Sequence, residues 1–437
     1  MEFKLSGIDL FKIRRYNGVA MKPLDPTEAA IRRGIKMVAV GKKGSKPLPA
    51  ELIEEILIDF KEGKVAPVEK GAFFGALIMK GVTKEEKRFE EFVGAGVLDN
   101  PLALVQAVSP ETPAFIKEYG VRLLKGEELT KADAERLGDF LFSNQPGDGA
   151  RGLAASILRV RYETPDEYEG LLKSLHKTVE PAFHQFPPIG DPIIQVAEPF
   201  DGVDQSNMIT PLVADYLQKL GYRVVNLIGR NSGPKLGNNL FDLVKFLNLK
   251  MIKGSQELNG EKPDLGWYID QKDISKPLDR WVDLRRKIIK RPFLATIERF
   301  VNPVRADITI ASAFHPPYGE KMITACERVG YPGTVIVRNG IEGTIAFPLK
   351  RPVKMLCSAR QSHGFYRREE FELKPEDYLK DEVPVEEKLT ELSAEKNAEL
   401  IRTYLKEGRT SNELFDQRIK FTCAGLSKAI EWIKSVG

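Results

Sequence analysis

Two consecutive strand–loop–helix units are visible in residues 191–249, which read DPIIQVAEPF DGVDQSNMIT PLVADYLQKL GYRVVNLIGR NSGPKLGNNL FDLVKFLNL. In each unit a short apolar run leads into a small polar loop, and the loop leads into a helical pattern. The first unit has the run 192–197, the loop 198–207 and a helix from about Thr210; the second has the run 224–228, the loop 229–239 and the helix 240–247. Such junctions direct backbone N–H groups and the positive end of a helix at one point. The pair therefore predicts a protein that holds phosphate groups.

The alternation of strands and helices continues beyond these units. A strand at 307–312, a helix at 319–329, a strand at 334–338 and helices at 394–406 and 412–436 follow. This order predicts an α/β fold with a central, mostly parallel sheet covered by helices. Three prolines and Gly190 between residues 177 and 190 mark a boundary, so we expect an α/β domain at 190–437.

The segment before that boundary contains an internal repeat. With Leu48 placed over Leu129, an offset of 81 residues, the two stretches align without a gap, and Gly71 falls on Gly152. Each copy predicts helix, turn, helix and then a third helix that begins at a threonine followed by acids. We expect a duplicated helical domain with copies at 1–95 and 96–178. Chance similarity between two amphipathic helical segments is the alternative.

Composition excludes several classes of protein. The chain has 437 residues, is 42% hydrophobic and 29% charged, and carries a formal net charge of +4, which is too small to indicate nucleic-acid binding by itself. No apolar run is long enough for a membrane span, and the first residues lack the apolar core of a signal peptide. Cys326, Cys357 and Cys423 stand singly and fit neither a disulfide framework nor a metal cluster, so we expect a cytoplasmic protein.

The two loops resemble those of glycosyltransferase family 3, which includes anthranilate phosphoribosyltransferase. The family loop GTGGD…TFNIST, which holds phosphoribosyl diphosphate, aligns with residues 197–210, where Asp201, Asn207 and Thr210 match and Gly202 follows the Asp. Its glycines fall on Ala197, Pro199 and Phe200, and a proline removes a backbone donor.

The second family loop, KHGNRS…GSAD, is similar to the stretch at 227–242. It keeps Gly229, Ser232 and Gly237 but lacks the Lys and His. The resemblance thus implies donor phosphate contacts at Asp201, Gly202, Asn207, Thr210, Gly229 and Ser232. It also implies an acceptor or anion contact at Arg291, which looks like the family Arg near an LLNP element.

A third family segment, DG-x-DE, supplies acidic ligands for Mg²⁺. The matching stretch is 339–346, where Ile345 and Ala346 stand in the place of the acid pair, and apolar side chains cannot ligate the ion. Glu342 is the only acid that stands close enough in sequence to replace one ligand. We therefore expect no metal site, and Mg²⁺ only if the protein is an active transferase.

The motifs are most similar to those of the divergent DNA-binding paralogues of anthranilate phosphoribosyltransferase. Their P-x-YNG…NLTPLLA loop, HPEY turn and HGTEGE turn look like the stretches at 199–212, 315–318 and 339–344. In this interpretation His315 contacts a ligand phosphate; a role in stabilising its turn is the alternative. For Thr210 the alternative role is that of a helix cap followed by Pro211.

A basic stretch at 276–305 supports the same branch. Phosphate contacts dominate nucleic-acid affinity, and the aromatic residues Trp267, Tyr268 and Trp281 stand near enough in sequence to stack on bases. The candidate contacts are Arg230, Lys235, Arg285, Arg286, Lys287 and Lys290. A solvated helix face with buried aromatics is the alternative.

Two functions follow from these patterns. The first is a family relative with a degenerate donor site that binds nucleic acid non-specifically through a basic groove. The second is an active glycosyl- or phosphoribosyltransferase that uses a phosphorylated sugar donor. The family implies a homodimer formed through the helical domain, unless the extra copy takes the partner's place.

Overall fold

The structure is a computed structural model that describes residues 15–16, 19–20, 27–41, 44–184, 190–235, 237–379 and 393–437. Two short strands, β1 (Arg15–Tyr16) and β2 (Val19–Ala20), pair antiparallel near the start. The predicted first helical copy at 1–95 thus lies partly outside the described residues.

A helical region follows the first two strands. Its helices are α1 (Ala30–Val38), α2 (Ala50–Lys61), α3 (Pro67–Lys80), α4 (Glu90–Val93), α5 (Pro101–Val108), α6 (Ala114–Leu124), α7 (Lys131–Leu141), α8 (Asp148–Arg161) and α9 (Pro165–His176). Helix α9 begins at Pro165 because Thr164 and Glu167 form a reciprocal capping box in front of it. Within the helical region, most of the buried apolar side chains of α2, α3, α7 and α8 belong to one core.

The α/β region contains the remaining elements. Its strands are β3 (Ile193–Ala197), β4 (Arg223–Ile228), β5 (Trp267–Asp270), β6 (Ile308–Ala313), β7 (Gly333–Arg338), β8 (Val353–Arg360) and β9 (Tyr366–Leu373). Its helices are α10 (Thr210–Lys219), α11 (Leu240–Phe246), α12 (Gln271–Ile274), α13 (Lys276–Ile288), α14 (Leu294–Ile297), α15 (Pro316–Val329), α16 (Ala394–Glu407) and α17 (Glu413–Val436).

One seven-stranded sheet has the order β5-β4-β3-β6-β7-β8-β9. The first five strands in this order pair in parallel, whereas β8 pairs antiparallel with both β7 and β9. The predicted α/β class with a mostly parallel sheet is therefore confirmed. From β3 the chain goes to β4 on one side and later returns to β6 on the other. Strand order therefore reverses between β3 and β6, and a crevice forms at their carboxyl ends.

The two helical segments pack against each other through α3 and α8, and two glycines allow the close approach. A Cβ atom on Gly71 would lie 1.8 Å from the carbonyl oxygen of Gly149, and one on Gly152 would lie 2.0 Å from that of Val68. Residues 71 and 152, and residues 68 and 149, are both separated by 81. If each residue is replaced by its counterpart in the other copy, the contact of Gly71 with Gly149 becomes the contact of Gly152 with Val68.

The aromatic residues near the basic stretch are part of the core. Trp267 and Tyr268 lie in β5, Trp281 lies in α13, and all three side chains are buried. The indole of Trp281 also donates a hydrogen bond of 3.0 Å to the carbonyl oxygen of Leu141, in the helical region. The expectation that these rings stack on bases is therefore wrong, because the rings fill the sheet core and the contact between the two regions.

Candidate anion-binding site

A cleft opens at the carboxyl ends of β3 and β6, at the reversal of strand order. The segments that follow the two strands line it, with Asp201 after β3 and His315 after β6. Helix α8 of the helical region closes one side with Arg159, and Tyr318 of α15 lies beneath that side chain. The cleft is thus formed jointly by the helical and α/β regions.

Arg159 is held in the cleft by an aromatic partner. One of its guanidinium nitrogens donates a hydrogen bond to the Tyr318 hydroxyl, and the guanidinium carbon lies 5.8 Å from the centre of the Tyr318 ring. Its Nε atom is buried and, within the described part of the chain, has no hydrogen-bond partner. Lys321 also lies over this aromatic surface, 5.7 Å from the same ring centre. Nothing in the sequence motifs singled out Arg159.

Two further basic side chains, Lys290 and His315, have pKa values that burial and positive neighbours lower. Burial, together with the charges of Arg159 and Lys36, lowers the pKa of Lys290 to about 8. Burial, together with Arg159 and Arg291, lowers the pKa of His315 below its usual range. Among the described residues, the acceptor for the Lys290 ammonium is a neutral group, the backbone carbonyl of Lys36, at 2.9 Å.

Arg291 and Asp201, predicted as an acceptor contact and a donor contact, lie together and form an ion pair. Two guanidinium nitrogens of Arg291 donate to the same carboxylate oxygen of Asp201 at 2.9 and 2.6 Å. The Asp201 side chain is only 2% exposed, whereas that of Arg291 is 29% exposed. The pair leaves Arg291 open to the cleft but satisfies Asp201 from within the protein.

Arg285 belongs to the cleft lining, but its side chain is almost completely buried. Its guanidinium forms an ion pair with Glu298, and both side chains are 2% exposed. The adjacent Arg299 is also buried and donates to the carbonyl oxygen of Ser312 at 2.6 Å. This finding removes Arg285 from the nucleic-acid candidates, since a polymer cannot reach it.

The other nucleic-acid candidates differ in how far their charge is already neutralised. Arg230 is bound by Asp279 and Asp283, with its closest carboxylate contact at 2.9 Å, and Lys235 pairs with Glu342 at 2.7 Å. Arg286 donates to the carbonyl oxygen of Asn231 at 2.6 and 2.9 Å and lies 4.0 Å from Asp283. For Lys287 and Lys290 the described residues provide no ion pair. Arg286, Lys287 and Lys290 thus keep most of their charge for an external ligand.

The hydroxyl of Thr210 is directed inward. It donates to Glu198, and burial raises the pKa of this carboxyl group although Thr210 and the backbone N–H of Ile345 both donate to it. Ile209 is the residue that precedes helix α10, and no side chain caps this end, so the capping role suggested for Thr210 is wrong. Asn207 is mostly buried, and among the described residues no hydrogen bond involves its amide.

Gly202 in the first loop and Gly237 in the second allow the two loops to contact each other. Val203 and Asn238 form two backbone hydrogen bonds of 2.8 and 3.0 Å between the loops. Gly202 has a φ of +71°, and a Cβ atom there would lie 2.2 Å from the carbonyl oxygen of Asn238. A Cβ atom on Gly237 would lie 2.3 Å from the carbonyl oxygen of Val203. These glycines therefore serve backbone packing between loops, which the motif alone does not distinguish from phosphate contact.

The other two predicted donor contacts lie behind the loop surface. A Cβ atom on Gly229 would lie 2.9 Å from the ring of Phe200, which covers it. Ser232 is buried, and among the described residues its hydroxyl has no hydrogen-bond partner. As the structure stands, neither residue faces the open cleft.

The residues present do not fit a Mg²⁺ site. Ile345 and Ala346, which stand in the place of the family's acid pair, are buried apolar side chains. Glu198 accepts from Thr210 and Ile345, and Glu342 accepts from the first loop, so neither is free to ligate an ion. Within the described ranges no group of three or more His, Cys, Asp or Glu side chains could hold a metal ion.

Comparison with known proteins gives the fold a name. No protein-family model matches the chain. An uncharacterised protein of Aquifex aeolicus is 23% identical over 219 residues, and the bifunctional protein TrpGD of Thermotoga maritima is 23% identical over 237 residues. The matched regions cover 50% and 54% of this chain but only 65% and 39% of those proteins. The protein YbiB of Escherichia coli is 22% identical over 262 residues, which cover 59% of this chain and 79% of YbiB.

Solved structures show the similarity over a longer range. Anthranilate phosphoribosyltransferase (TrpD) of Thermus thermophilus superposes with a TM-score of 0.56 at 19% identity, covering 73% of this chain and 90% of that one. The Saccharomyces cerevisiae enzyme in complex with PRPP and Mg has a TM-score of 0.56 at 15% identity, covering 74% and 92%. This chain therefore has the anthranilate phosphoribosyltransferase fold. The fold predicted from the loop motifs is confirmed.

Among the helices of the described residues, none combines the length and the apolar character that crossing a bilayer requires.

Proposed function

We propose that the chain binds nucleic acid non-specifically, through phosphate groups held in the cleft between the helical and α/β regions. The cationic cluster, formed by Arg159, Arg291 and His315 of the cleft lining and by Lys290, whose pKa is lowered by burial and by the charge of Arg159, carries this proposal. Among the described residues only Arg291 of this cluster is ion-paired with a carboxylate. Arg159 and Lys290 therefore give the cluster an excess of positive charge in a partly enclosed space, which is unfavourable until an anion enters.

The pKa values support an anionic ligand. Lys290 and His315 both lose affinity for protons, in part because of the neighbouring arginines. A phosphate group between them would reverse that effect and favour the charged forms. Each charge-assisted hydrogen bond to phosphate contributes about 1.5–3 kcal/mol when it is well formed. Two or three such bonds account for useful affinity at a single phosphate.

The cationic cluster continues toward the surface, which favours a polymer over a small ligand. Arg286 and Lys287 lie in the last turn of helix α13, Lys290 follows along the chain, and the next residue, Arg291, lines the cleft. Phe314 lines the cleft and is 40% exposed, so it offers a surface on which an unpaired base can stack. These contacts are to phosphates and ring faces, so we expect little sequence preference and a preference for single strands.

Phosphoribosyl transfer is the second candidate function. The fold supports it, because a structural neighbour is described in complex with PRPP and Mg. The chemistry of the site does not support phosphoribosyl transfer. Departure of diphosphate requires neutralisation of its charge, normally by Mg²⁺, and the apolar side chains of Ile345 and Ala346 cannot bind that ion. We therefore propose that Mg²⁺ is needed only if this second function is present.

Fluorescence anisotropy with labelled single-stranded DNA, double-stranded DNA and RNA tests the proposal. We expect micromolar binding of single strands that weakens steeply with salt, and at least tenfold weaker binding by Arg159→Ala and Lys290→Ala variants. Lys64→Ala is the matched control, because Lys64 is an exposed cation of the helical region, far along the chain from the cleft. Absence of nucleic-acid binding together with saturable, Mg²⁺-dependent binding of phosphoribosyl diphosphate would establish the second candidate instead.

We further propose that the first helical copy occupies the place that a second chain's helical domain would take. The contacts of Gly71 with Gly149 and of Gly152 with Val68 exchange when the copies are exchanged, as in an interface between identical subunits. Because the first copy already covers this face of the second copy, the face is not available to the helical domain of another chain. Light scattering coupled to size exclusion should give the mass of one chain; a two-chain mass would favour the homodimer expected from the family.

A further inference from the structure

The first loop already holds an anion, and that anion is a carboxylate of the protein. Glu342, in the turn after β7, accepts hydrogen bonds from the backbone N–H groups of Asp204 and Gln205 and from the Ser206 hydroxyl, each at 2.8 Å. Lys235 of the second loop pairs with the same carboxylate at 2.7 Å. Four donors from two loops therefore converge on one carboxylate.

This arrangement has the composition of a phosphate site. Consecutive backbone N–H groups, a hydroxyl and a lysine are the donors that proteins use to bind phosphate oxygens. Although burial alone would raise it, the pKa of Glu342 is lowered, because Lys235 and the two backbone donors favour the ionised form. The loop thus stabilises a full negative charge at this point.

The turn that carries Glu342 is in an unfavourable backbone conformation. Glu342 has φ +51° and ψ 18°, in the left-handed region that residues other than glycine rarely adopt, and Asn339 of the same turn has φ +55°. Such a conformation persists only where surrounding contacts hold it. The four hydrogen-bond donors on the Glu342 carboxylate are among those contacts, together with backbone hydrogen bonds such as that from Ile341 to Ala346, so displacement of the carboxylate would remove part of what holds the turn.

We propose that Glu342 closes a phosphate-binding site formed by residues 204–206 and Lys235, and that a phosphate group occupies the same donors when Glu342 moves away. The site is an autoinhibited one, in which ligand and protein carboxylate compete. The inference does not depend on nucleic-acid binding by the cationic cluster, because it uses none of that cluster's side chains.

Calorimetric titration with inorganic phosphate tests this competition in the full-length protein. We expect Glu342→Ala to bind phosphate at least tenfold more tightly than the unmodified chain, and Lys235→Ala in that background to lose most of the gain. Glu257→Ala is the matched control, since Glu257 also accepts from a backbone N–H, that of Lys253, and pairs with a lysine, Lys250, but lies elsewhere. The control should leave phosphate binding unchanged.

Thermal unfolding provides a second measurement that separates loss of folding from loss of binding. Glu342→Ala should unfold at a lower temperature in phosphate-free buffer and regain stability as phosphate is added, since a ligand that binds only the folded state stabilises it. Glu342→Gln, which keeps the shape and removes the charge, should show the same behaviour to a smaller extent. A folded Glu342→Ala protein that binds phosphate no better than the parent, or a gain that persists without Lys235, would overturn the proposal. An Arg159→Ala variant should leave this gain intact, so failure here and failure of the cleft proposal are distinguishable.

Discussion

The two helical segments that we propose to be copies have the same hydrogen-bond pattern around one buried glutamate each. Glu86 in the first copy and Glu167 in the second are separated by 81 residues, and each accepts three equivalent donors. In the first copy the donors are the backbone N–H groups of Leu48 and Thr83 and the side chain of Lys80. In the second copy they are the backbone N–H groups of Leu129 and Thr164 and the side chain of Arg161. Identical bonds at a constant offset support duplication, because chance similarity of apolar patterns would not reproduce them.

The copies differ where the second one contacts the α/β region. Arg159 of the cationic cluster has Ile78 as its counterpart, and Glu163 has Val82. Tyr162 stands at the position of Gly81, and both have positive φ, +71° and +93°. Tyr162 keeps this unfavourable conformation while its ring packs against Lys321 and Tyr318. The buried glutamate that the copies share thus maintains the fold, whereas Arg159, at which they differ, lines the cleft.

Replacement of the two glycines at the contact between the copies should have the largest effect. Gly152→Ala and Gly71→Ala each place a methyl group within 2.0 Å of a backbone oxygen, so α3 and α8 must separate. We expect each change to lower the free energy of unfolding by about 3 kcal/mol or more, although alanine normally stabilises a helix. Urea denaturation followed by circular dichroism measures this.

Gly63→Ala serves as the control for those two variants. Its φ is +67°, and no atom lies within 4 Å of the added Cβ, so only backbone strain of about 1–2 kcal/mol is expected. Equal losses for all three variants would show that close packing at the contact contributes nothing.

Removal of the buried charge should affect the copies equally, with a smaller effect than the glycine changes. Glu86→Gln and Glu167→Gln each leave a buried lysine or arginine without its carboxylate and weaken two backbone bonds. We expect about 2–3 kcal/mol of lost stability for each variant. A loss in one copy of less than half that in the other would contradict the equivalence of the two sites.

The sequence predicted this fold well because its signals are local. The runs before and after Asp201 and Gly229 have strand and helix periodicity, and β3, β4 and α10 lie within one residue of their expected limits. Strands β5, β8 and β9 went unpredicted, and Trp267 and Tyr268 were interpreted as surface aromatics. Their burial depends on sheet neighbours distant in sequence, and no local pattern contains that information.

The site was less predictable, because its contacts join distant residues. Motif matching identified Asp201 and Arg291 as separate ligand contacts, but they neutralise each other across 90 residues of chain. Motif matching also did not predict the hydrogen-bond partners of Glu342. It did not identify Arg159, because that residue belongs to a helix outside the matched motifs. One signal was available: the repeat places Arg159 opposite Ile78, and a charge that breaks a repeat indicates a position freed from the shared packing.

Giving the second copy the first copy's residue should isolate the functional difference. Arg159→Ile removes one cation from the cleft and leaves the Tyr318 hydroxyl without its donor. We expect about tenfold weaker binding of single-stranded DNA, which corresponds to about 1.4 kcal/mol, with a change in stability below that of either glutamate variant. Ile78→Leu, the matched change in the first copy, should leave anisotropy titrations unchanged. Equal weakening by both variants would mean that the copies do not differ in function.

The pH dependence of binding should give the smallest effect, and its direction follows from the lowered pKa values. A bound phosphate favours charged Lys290 and His315, so binding takes up protons and affinity falls as pH rises, by several-fold between pH 6 and 9. His315→Gln should remove the pH dependence of affinity below pH 7. Lys290→Arg, in which the side chain stays charged, should remove the pH dependence above pH 8. Without ligand the pH dependence of stability has the opposite sign for both Lys290 and His315, because a depressed folded-state pKa of a basic group means that stability is lost as pH falls. If affinity were constant from pH 6 to 9 while stability still changed, the phosphate would lie outside the cationic cluster, and the difference between the two copies would be one of packing alone.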